Sequence, residues 1–271
     1  MKPHLRLRWG ILGTANIAQK NWQAIRHSGN GVVAAVASRD VERAKRFIHD
    51  CQAEVAFPVV PQAFGSYEAL LASNTVDAVY VPLPTGLRKE WVIRAAEAGK
   101  HVLCEKPCAI DAASLREMIG ACRRHHVQFM DGVMFMHSRR LQEMARVLGD
   151  GHSIGDKRRI ESAFSFRGPE AFYRENIRAH SALEPHGCLG DLGWYCIRWA
   201  LWAMNWKLPR AVTGRLLADV ARADSPEQAT RTVDDVAREL GRDGDPNVRQ
   251  KLAKLFTMQQ LGRYSALRAK T

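Results

Sequence analysis

Five short runs rich in apolar residues alternate with segments of helical spacing, and this alternation constrains the fold of the 271-residue chain more than any other feature. The runs are Leu7–Leu12, Val32–Ala37, Val76–Val81, His101–Cys104 and Val127–Met134. A continuous apolar run of this length is typical of a strand that is buried on both faces of a parallel sheet. Parallel neighbours need crossover connections, which the helical segments between the runs supply. The pattern therefore predicts an α/β fold with a doubly wound parallel sheet.

A glycine turn joins the first run to the first helical segment. The turn spans Gly13–Ala18, and apolar Trp22 and Ile25 follow it at helical spacing. Such a turn directs backbone N–H groups and a helix N-terminus at a pyrophosphate, where the helix dipole favours negative charge. An ordinary strand–turn–helix junction also fits, because alanine stands at the second and third positions of the dinucleotide pattern. The residues expected to bind a dinucleotide here are Gly13, Thr14, Ala15, Asn16 and Ile17.

The end of the second run bears on the choice of cofactor. Ser38 and Arg39 follow it, at the place where a site selective for NAD normally carries a carboxylate for the ribose hydroxyls. A hydroxyl and a guanidinium suit a 2′-phosphate instead. We therefore expect Ser38 and Arg39 to bind NADP, with NAD as the alternative cofactor and a solvated surface position as the alternative for Arg39. Asp40 is expected to cap the next helix.

Five motifs follow one another in order between residues 6 and 218. They are Gly10–Ala18, Ala37–Asp40, Val81–Pro84, Ala98–Pro107 and Gly190–Tyr195. In this order they resemble the Gfo/Idh/MocA family of NAD(P)-dependent oxidoreductases, and within it the branch of dihydrodiol dehydrogenases and NADP-linked D-xylose dehydrogenases. The resemblance implies a Rossmann-type sheet. One departure lies in Thr85–Trp91, where many family members carry a histidine near the position of Arg88.

The resemblance also implies a catalytic set formed by Lys106, Asp191 and Tyr195. In it, Tyr195 takes a proton from a carbinol, Lys106 stabilises the developing oxyanion and Asp191 holds substrate hydroxyls. A tyrosine acts near neutral pH only if its pKa falls below the ordinary value of about 10, and a neighbouring ammonium has that effect. From the residues alone, Tyr195 also fits a packed helix position, and Lys106 a surface position. The residues that the resemblance implies near the nicotinamide are Pro82, Leu83, Pro84, Glu105 and Lys106.

The second half of the chain predicts an incomplete second domain. We expect a dinucleotide-binding Rossmann domain over residues 1–136, a partial α+β domain for substrate and oligomerisation over 137–218, and a helical tail over 219–271. Strands are predicted at Arg159–Phe166 and Ala211–Leu217, with a helix at Gly187–Met204 between them. In the tail, Asp245–Leu255 resembles a helix of the acyl-CoA dehydrogenase C-terminal bundle. The α+β domain is therefore expected to be truncated.

The composition fits a soluble globular protein, with 46% hydrophobic and 25% charged residues. No apolar run is long enough to cross a bilayer, so no membrane partner is expected. The formal net charge is +12, but basic and acidic residues are interleaved, so we expect no nucleic-acid partner. The six cysteines show no secreted framework, which predicts free thiols and a cytoplasmic location. Cys104 and Cys108 are interpreted as buried thiols, so no metal site is expected.

These observations lead to one expected function and one alternative. The expected function is that of an NADP-dependent oxidoreductase, which transfers hydride between nicotinamide and a carbinol carbon of a sugar or cyclic diol. A small polyol or sugar is then the substrate partner, and a homodimer is expected. The alternative is a dinucleotide-binding protein with little or no catalysis, because the second domain is incomplete.

Overall fold

The structure, a computed structural model, describes residues 6–166, 176–177 and 183–214. Of these, residues 6–166 and 183–208 belong to one compact unit, and residues 176–177 and 209–214 belong to a second. The first unit contains the sheet and every candidate site residue named above. The predicted tail, residues 219–271, lies outside the described residues.

A six-stranded parallel sheet forms the centre of the first unit, in the order β3-β2-β1-β4-β5-β6. Its strands are β1 (Leu7–Leu12), β2 (Gly31–Ala37), β3 (Gln62–Phe64), β4 (Ala78–Val81), β5 (His101–Cys104) and β6 (Phe129–Asp131). The predicted α/β class and doubly wound parallel sheet are confirmed. Sequence reasoning missed β3, a three-residue edge strand without a continuous apolar run.

Helices connect the strands and continue beyond them. They are α1 (Asn16–His27), α2 (Val41–Glu54), α3 (Tyr67–Ala72), α4 (Thr85–Glu97), α5 (Ala112–Arg124), α6 (Arg139–Gly149) and α7 (Trp194–Ala203). Several begin at side-chain caps, which satisfy N–H groups that have no partner inside the helix. Asp40 accepts a hydrogen bond from the Glu42 N–H at 2.9 Å, as predicted, and Asp111 accepts one from the Ser114 N–H at 2.6 Å.

Apolar side chains cover both faces of the sheet. On one face, the fully buried Trp22 makes an edge contact with Phe57, with ring centroids 5.2 Å apart, and donates its indole N–H to the Val55 carbonyl at 2.8 Å. On the other face, fully buried residues include Leu70 and Met118. Each buried aliphatic side chain contributes about 1.5–3 kcal/mol relative to exposure. Burial on both faces holds the strand ends, and the loops that leave them, in fixed positions.

The chain builds the sheet outward in one direction from β1 and in the other direction from β4. These two strands are hydrogen-bonded neighbours, with Trp9 opposite Ala78, although β2 and β3 lie on one side of them and β5 and β6 on the other. Chain connections therefore leave β1 and β4 in opposite directions. A crevice outside the carboxyl ends of such strands is where open α/β sheets bind ligands.

The chain beyond β6 differs from the prediction. A 3₁₀ turn at Met134–His137 leads into α6, and Arg159–Phe166 forms no strand. That prediction was wrong because alternating residues need a neighbouring strand for their backbone hydrogen bonds, and the described part of the chain offers none there. Residues 211–214 are also without strand structure, and the remainder of Ala211–Leu217 lies outside the described residues. Among the helices that are described, none has the length and apolar character to span a membrane.

Candidate active site

The glycine turn after β1 has a backbone that favours glycine. Gly13 has φ of 105°, and its N–H donates to the Ala37 carbonyl at the end of β2 over 2.8 Å. A Cβ at this position would lie 3.1 Å from Leu83 Cδ2, so a side chain would crowd the loop after β4. The turn and that loop therefore adjoin across the crevice, and only a residue without a side chain leaves space between them.

The first turn of α1 is open to an anion. Ala15 precedes the helix in extended backbone, and within the described residues no side chain caps Asn16 or Ile17. Because the first N–H groups of a helix lack internal partners, this terminus can bind phosphate oxygens. Together with the Cβ-less turn at Gly13, it is the arrangement that a dinucleotide pyrophosphate requires. These residues fit such a cofactor.

The end of β2 and the start of α3 form the next part of the crevice. Ser38 is buried, and its N–H donates to the Phe64 carbonyl at 3.1 Å, whereas Arg39 is exposed. Tyr67 was missed by sequence reasoning, yet its hydroxyl lies 3.6 Å from where a Cβ on Gly13 would stand. Burial raises the pKa of Tyr67, and the positive charge of Arg39 opposes that shift. A phenolic side chain therefore stands beside the glycine turn, and the charge of Arg39 acts on it.

The loop after β4 is rigid and is joined to the loop after β5. Pro82 and Leu83 are buried, and Pro84 precedes α4. Arg88 is only 5% exposed; its Nε donates to the Leu83 carbonyl at 2.7 Å, and its Nη1 donates to the Pro107 carbonyl. The guanidinium thus joins two backbone loops.

The glutamate of the Glu105–Lys106–Pro107 motif is held from two sides. Tyr80 donates its hydroxyl to Glu105 Oε1 at 2.6 Å, and the Lys106 N–H donates to Oε2 at 3.1 Å. Burial, followed by the negative charge of Glu105, raises the pKa of Tyr80, so this phenol remains a donor. The carboxylate therefore fixes the backbone from which the Lys106 side chain extends.

The structure brings Lys106, Asp191 and Tyr195 together. Lys106 Nζ lies 2.7 Å from Asp191 Oδ1 and 2.8 Å from the Asp191 carbonyl oxygen. It also lies 4.6 Å from the centroid of the Tyr195 ring. The side chains of the ion pair are only 10% and 14% exposed, so water screens their attraction weakly. An ammonium, a carboxylate and a phenol ring thus meet at the carboxyl end of β5. The ammonium and the carboxylate are 85 residues apart in sequence.

Local structure explains how Asp191 and Tyr195 reach the same place. Asp191 lies in a π-helical turn, Leu189–Gly193, which continues directly into α7 at Trp194. Gly190 in this turn is buried, and a Cβ there would lie 2.9 Å from His186 Cβ and 3.5 Å from Pro107 Cγ. The small residue lets the turn approach the loop that carries Lys106. The predicted helix over Gly187–Met204 is confirmed in substance, with a π turn in its first part.

Aromatic side chains surround the Tyr195 ring. The Phe135 ring centroid lies 5.8 Å from it, and the Phe164 centroid lies 5.5 Å away in an edge contact. Phe164 belongs to the segment that was predicted as a strand, so it covers the tyrosine without forming one. These contacts orient the ring beside Lys106.

Two further polar pairs near the site were not predicted. Glu184 accepts hydrogen bonds from both the backbone and the side chain of Thr85. Arg198 Nη1 lies 2.7 Å from Asp131 Oδ2, at the end of β6. Both pairs join residues far apart in sequence, so the local pattern carried no signal for them.

The cysteines predicted as buried thiols are free. Cys104 and Cys108 are 0% and 3% exposed. The hydrogen bond with Cys108 and burial both raise the pKa of Cys104, so its thiol stays protonated at neutral pH. No group of three or more His, Cys, Asp or Glu side chains suited to a metal occurs within residues 6–166, 176–177 and 183–214.

The crevice between β1 and β4, the Cβ-less turn and the open helix terminus define the class of protein. It is a Rossmann-type dinucleotide-binding fold with a lysine, a carboxylate and a tyrosine grouped at the end of β5. Residues 7–133 match the family model described as "oxidoreductase family, NAD-binding Rossmann fold". Over these residues the chain is therefore similar to the Gfo/Idh/MocA oxidoreductases, the family that its motifs predicted.

Two curated relatives and one solved structure illustrate the likeness. The chain is 35% identical over 191 residues to a D-xylose 1-dehydrogenase (NADP⁺) of Haloferax volcanii. The matched region covers 70% of this chain and 55% of that protein. It is 32% identical over 219 residues to a trans-1,2-dihydrobenzene-1,2-diol dehydrogenase of Xenopus laevis, covering 77% and 60%. A 3-ketoreductase mutant from Actinomadura kijaniata, solved with TDP-benzene and NADP, matches with a TM-score of 0.65 at 33% identity.

The likeness covers only part of each relative. The match to the ketoreductase structure spans 73% of this chain and 57% of that one. The chain thus spans a little over half the length of the curated relatives that it matches.

Proposed function

We propose that this chain acts as an NADP-dependent oxidoreductase, which transfers hydride between nicotinamide C4 and a carbinol carbon of a sugar or cyclic diol. The observation that carries the proposal is the contact of Lys106 Nζ with both Asp191 and the Tyr195 ring. This group stands at the carboxyl edge of the sheet, where the Rossmann class binds its cofactor. Relatives that act on D-xylose and on a dihydrodiol support the substrate class.

The three side chains divide the work of the reaction. Bound NADP would supply the nicotinamide that accepts or donates the hydride. Tyr195 accepts the hydroxyl proton of the substrate, and Lys106 stabilises the negative charge that develops on that oxygen. Asp191 holds the ammonium in place and accepts hydrogen bonds from neighbouring substrate hydroxyls. Because the ion pair is shielded from water, solvent screens its interaction with a bound substrate only weakly.

The cofactor is proposed to lie along the carboxyl ends of the strands in residues 1–136. Its pyrophosphate faces the turn and the open α1 terminus, and its 2′-phosphate faces the hydroxyl and guanidinium after β2. Glu105 acts indirectly, since Tyr80 and the Lys106 N–H already engage its two oxygens. The proposed binding residues are Gly13, Thr14, Ala15, Asn16, Ile17, Ser38, Arg39, Pro82, Leu83, Pro84, Glu105 and Lys106.

A second candidate function is dinucleotide binding with little or no catalysis. In the described residues after β6, no strand is present to complete a second sheet above Lys106. The cofactor would then bind, whereas the substrate would lack part of its enclosure.

Calorimetry and turnover on the same preparation separate the two functions. We expect NADP to bind more tightly than NAD, and Arg39→Glu to reverse that preference. Reduced cofactor should form from NADP with an aldose or a cyclic trans-diol, and Lys106→Met or Tyr195→Phe should abolish it. Lys20→Met, on the exposed surface of α1, is the matched control. Binding without turnover would favour the second candidate, and failure to bind either cofactor would exclude both.

Location and assembly are further parts of the proposal. Four buried cysteines remain free, which supports a reducing compartment such as the cytoplasm. Partly exposed apolar side chains on and after α7 support a homodimer; they include Ile197, Met204 and Trp206. Light scattering over a range of protein concentrations measures the assembly, and a constant monomer mass would refute the dimer.

A further inference from the structure

The N-terminus of α4 has no cap from its own neighbourhood. Pro84 stands at the capping position, and its side chain offers no acceptor. Thr85, the first helical residue, is only 2% exposed, so water cannot satisfy its backbone N–H or its hydroxyl. Buried polar groups of this kind need partners, because an unsatisfied one keeps the full penalty of its lost hydration.

Glu184 supplies the missing partners from 99 residues away. Its Oε1 accepts a hydrogen bond from the Thr85 N–H at 3.1 Å, and its Oε2 accepts one from Thr85 Oγ1 at 2.5 Å. The neighbouring Leu183 carbonyl accepts from the Gly86 N–H at 3.0 Å. Hydrogen bonds to a charged acceptor are the stronger kind, and a carboxylate at a helix N-terminus is also stabilised by the helix dipole.

The cap lies just upstream of the π turn that carries Asp191. Between them, the His186 ring contacts the Ile110 carbonyl, and Gly190 packs against Pro107. The segment from Glu184 to Asp191 is therefore fixed at several points to the loops that follow β4 and β5. Little freedom remains for the turn to move once Glu184 is bound.

A second fixed point holds the other end of the segment. The Arg198 guanidinium on α7 pairs with Asp131 at the end of β6, with both side chains about one quarter exposed. Asp191 and Tyr195 lie between this pair and the Glu184 cap. The catalytic turn is thus held above the ends of three consecutive strands, β4, β5 and β6.

We propose that Glu184 is a positioning residue, whose carboxylate caps α4 and thereby places Asp191 and Tyr195 against Lys106. The inference rests on the proposed function of these three side chains. The carboxylate joins the rigid loop at Pro84 to the turn, so loss of the cap lets the turn shift relative to Lys106. Small shifts of this kind are costly, since misplacement by about 1 Å lowers a catalytic rate by up to 100-fold.

Steady-state kinetics test the effect on the reaction. In Glu184→Ala, kcat should fall at least tenfold, whereas the Kd for NADP should stay within about twofold, because the glycine turn is untouched. The pH dependence of kcat should shift, since the distance between Lys106 and Tyr195 changes; Glu184→Gln, which keeps one acceptor, should recover part of the loss. Glu143→Gln on the exposed face of α6 is the control. Unchanged kcat and pH dependence in Glu184→Ala would overturn the inference.

Amide hydrogen exchange on the full chain gives a readout that does not need turnover. Glu184→Ala should speed exchange at least tenfold both in the first turn of α4 and in residues 189–203, with β2 unchanged. Faster exchange confined to α4 would show a local cap and overturn the inference. Should Glu184→Ala not fold, Thr85→Val removes the hydroxyl partner and should give a smaller change with the same two-part pattern. A wild-type chain without turnover would refute the proposed function, while exchange would still decide the role of Glu184.

Discussion

Replacing Arg88 tests whether the join between the β4 and β5 loops is energetically important. The guanidinium is 5% exposed and donates to two backbone carbonyls, those of Leu83 and Pro107. Arg88→Met keeps most of the aliphatic stem and removes every donor. Two carbonyls inside the loop junction then lose their partner, and the two loops are no longer joined.

The magnitude follows from opposing contributions. Each carbonyl left unpaired costs roughly 1–3 kcal/mol, and removing a buried cation returns part of this because its desolvation is relieved. We therefore expect Arg88→Met to lower the free energy of unfolding by about 2–4 kcal/mol. Arg88→Lys keeps the charge but not the planar fork that reaches both carbonyls, so its loss should be smaller, about 1–2 kcal/mol.

Urea unfolding followed by tryptophan fluorescence measures these differences. Arg46→Met, on the exposed surface of α2, is the matched control and should change stability by no more than about 0.5 kcal/mol. A loss below about 1 kcal/mol in Arg88→Met, or one equal to that of the control, would refute the reasoning. The two hydrogen bonds would then contribute nothing beyond the burial of the stem.

Two further predictions concern the glycine turn and the dependence of stability on pH. Gly13→Ala and Gly29→Ala both place a side chain at positive φ, at about 1–2 kcal/mol each, but only the former also meets a neighbouring side chain. Calorimetry should therefore show lost NADP binding in Gly13→Ala alone; equal loss in both variants would contradict this. The hydrogen bond from Arg8 lowers the pKa of Asp77, so the pair stabilises the fold above the unfolded carboxyl pKa of about 4, and this contribution is lost as the pH falls through the lower, folded value. Asp77→Asn should flatten the acid limb of stability in urea titrations between pH 5 and 2, and an unchanged limb would contradict the assignment.

The central strands could be predicted because strands that are buried on both faces have a recognisable local sequence pattern. β2 and β4 are covered on both faces, so their residues form continuous apolar runs. β6 is shorter than the predicted run Val127–Met134, because it pairs with β5 only over Phe129–Asp131 and the chain enters the 3₁₀ turn at Met134. The extent of that strand thus depends on a contact with β5, which no pattern within the run contains.

Helix starts could likewise be predicted only where the capping residue lies next to the helix in sequence. α2 begins at Val41 as predicted, because its cap, Asp40, is the preceding residue. α4 begins at Thr85, directly after Pro84, and no side chain in its own neighbourhood caps it. Its cap comes from Glu184, 99 residues away, and the local sequence shows only a proline at that position. A capping residue that belongs to a distant segment cannot be identified from the sequence of the helix and its neighbours.

In the candidate site, too, the motif residues could be predicted, whereas the distant residues that hold them could not. Motifs located Lys106, Asp191 and Tyr195, and the structure brings all three together. The contacts that hold them span 99, 85 and 67 residues, through Glu184, the Lys106 pair and Arg198. Neither Glu184 nor Arg198 is marked by spacing or composition, because in sequence a glutamate or arginine that holds distant elements together looks the same as one on the surface.

The segment around Phe164 shows why an alternating pattern was misleading in this part of the chain. Alternation specifies which side chains share a face, but the backbone forms a strand only where a neighbour accepts its hydrogen bonds. Here the Phe164 ring packs on Tyr195, so the apolar face is used while no ladder forms. The residues therefore still shield the ring beside Lys106 from one side. Cover for the Tyr195 ring and formation of a second sheet are separate properties, and in the described residues this chain has the first without the second.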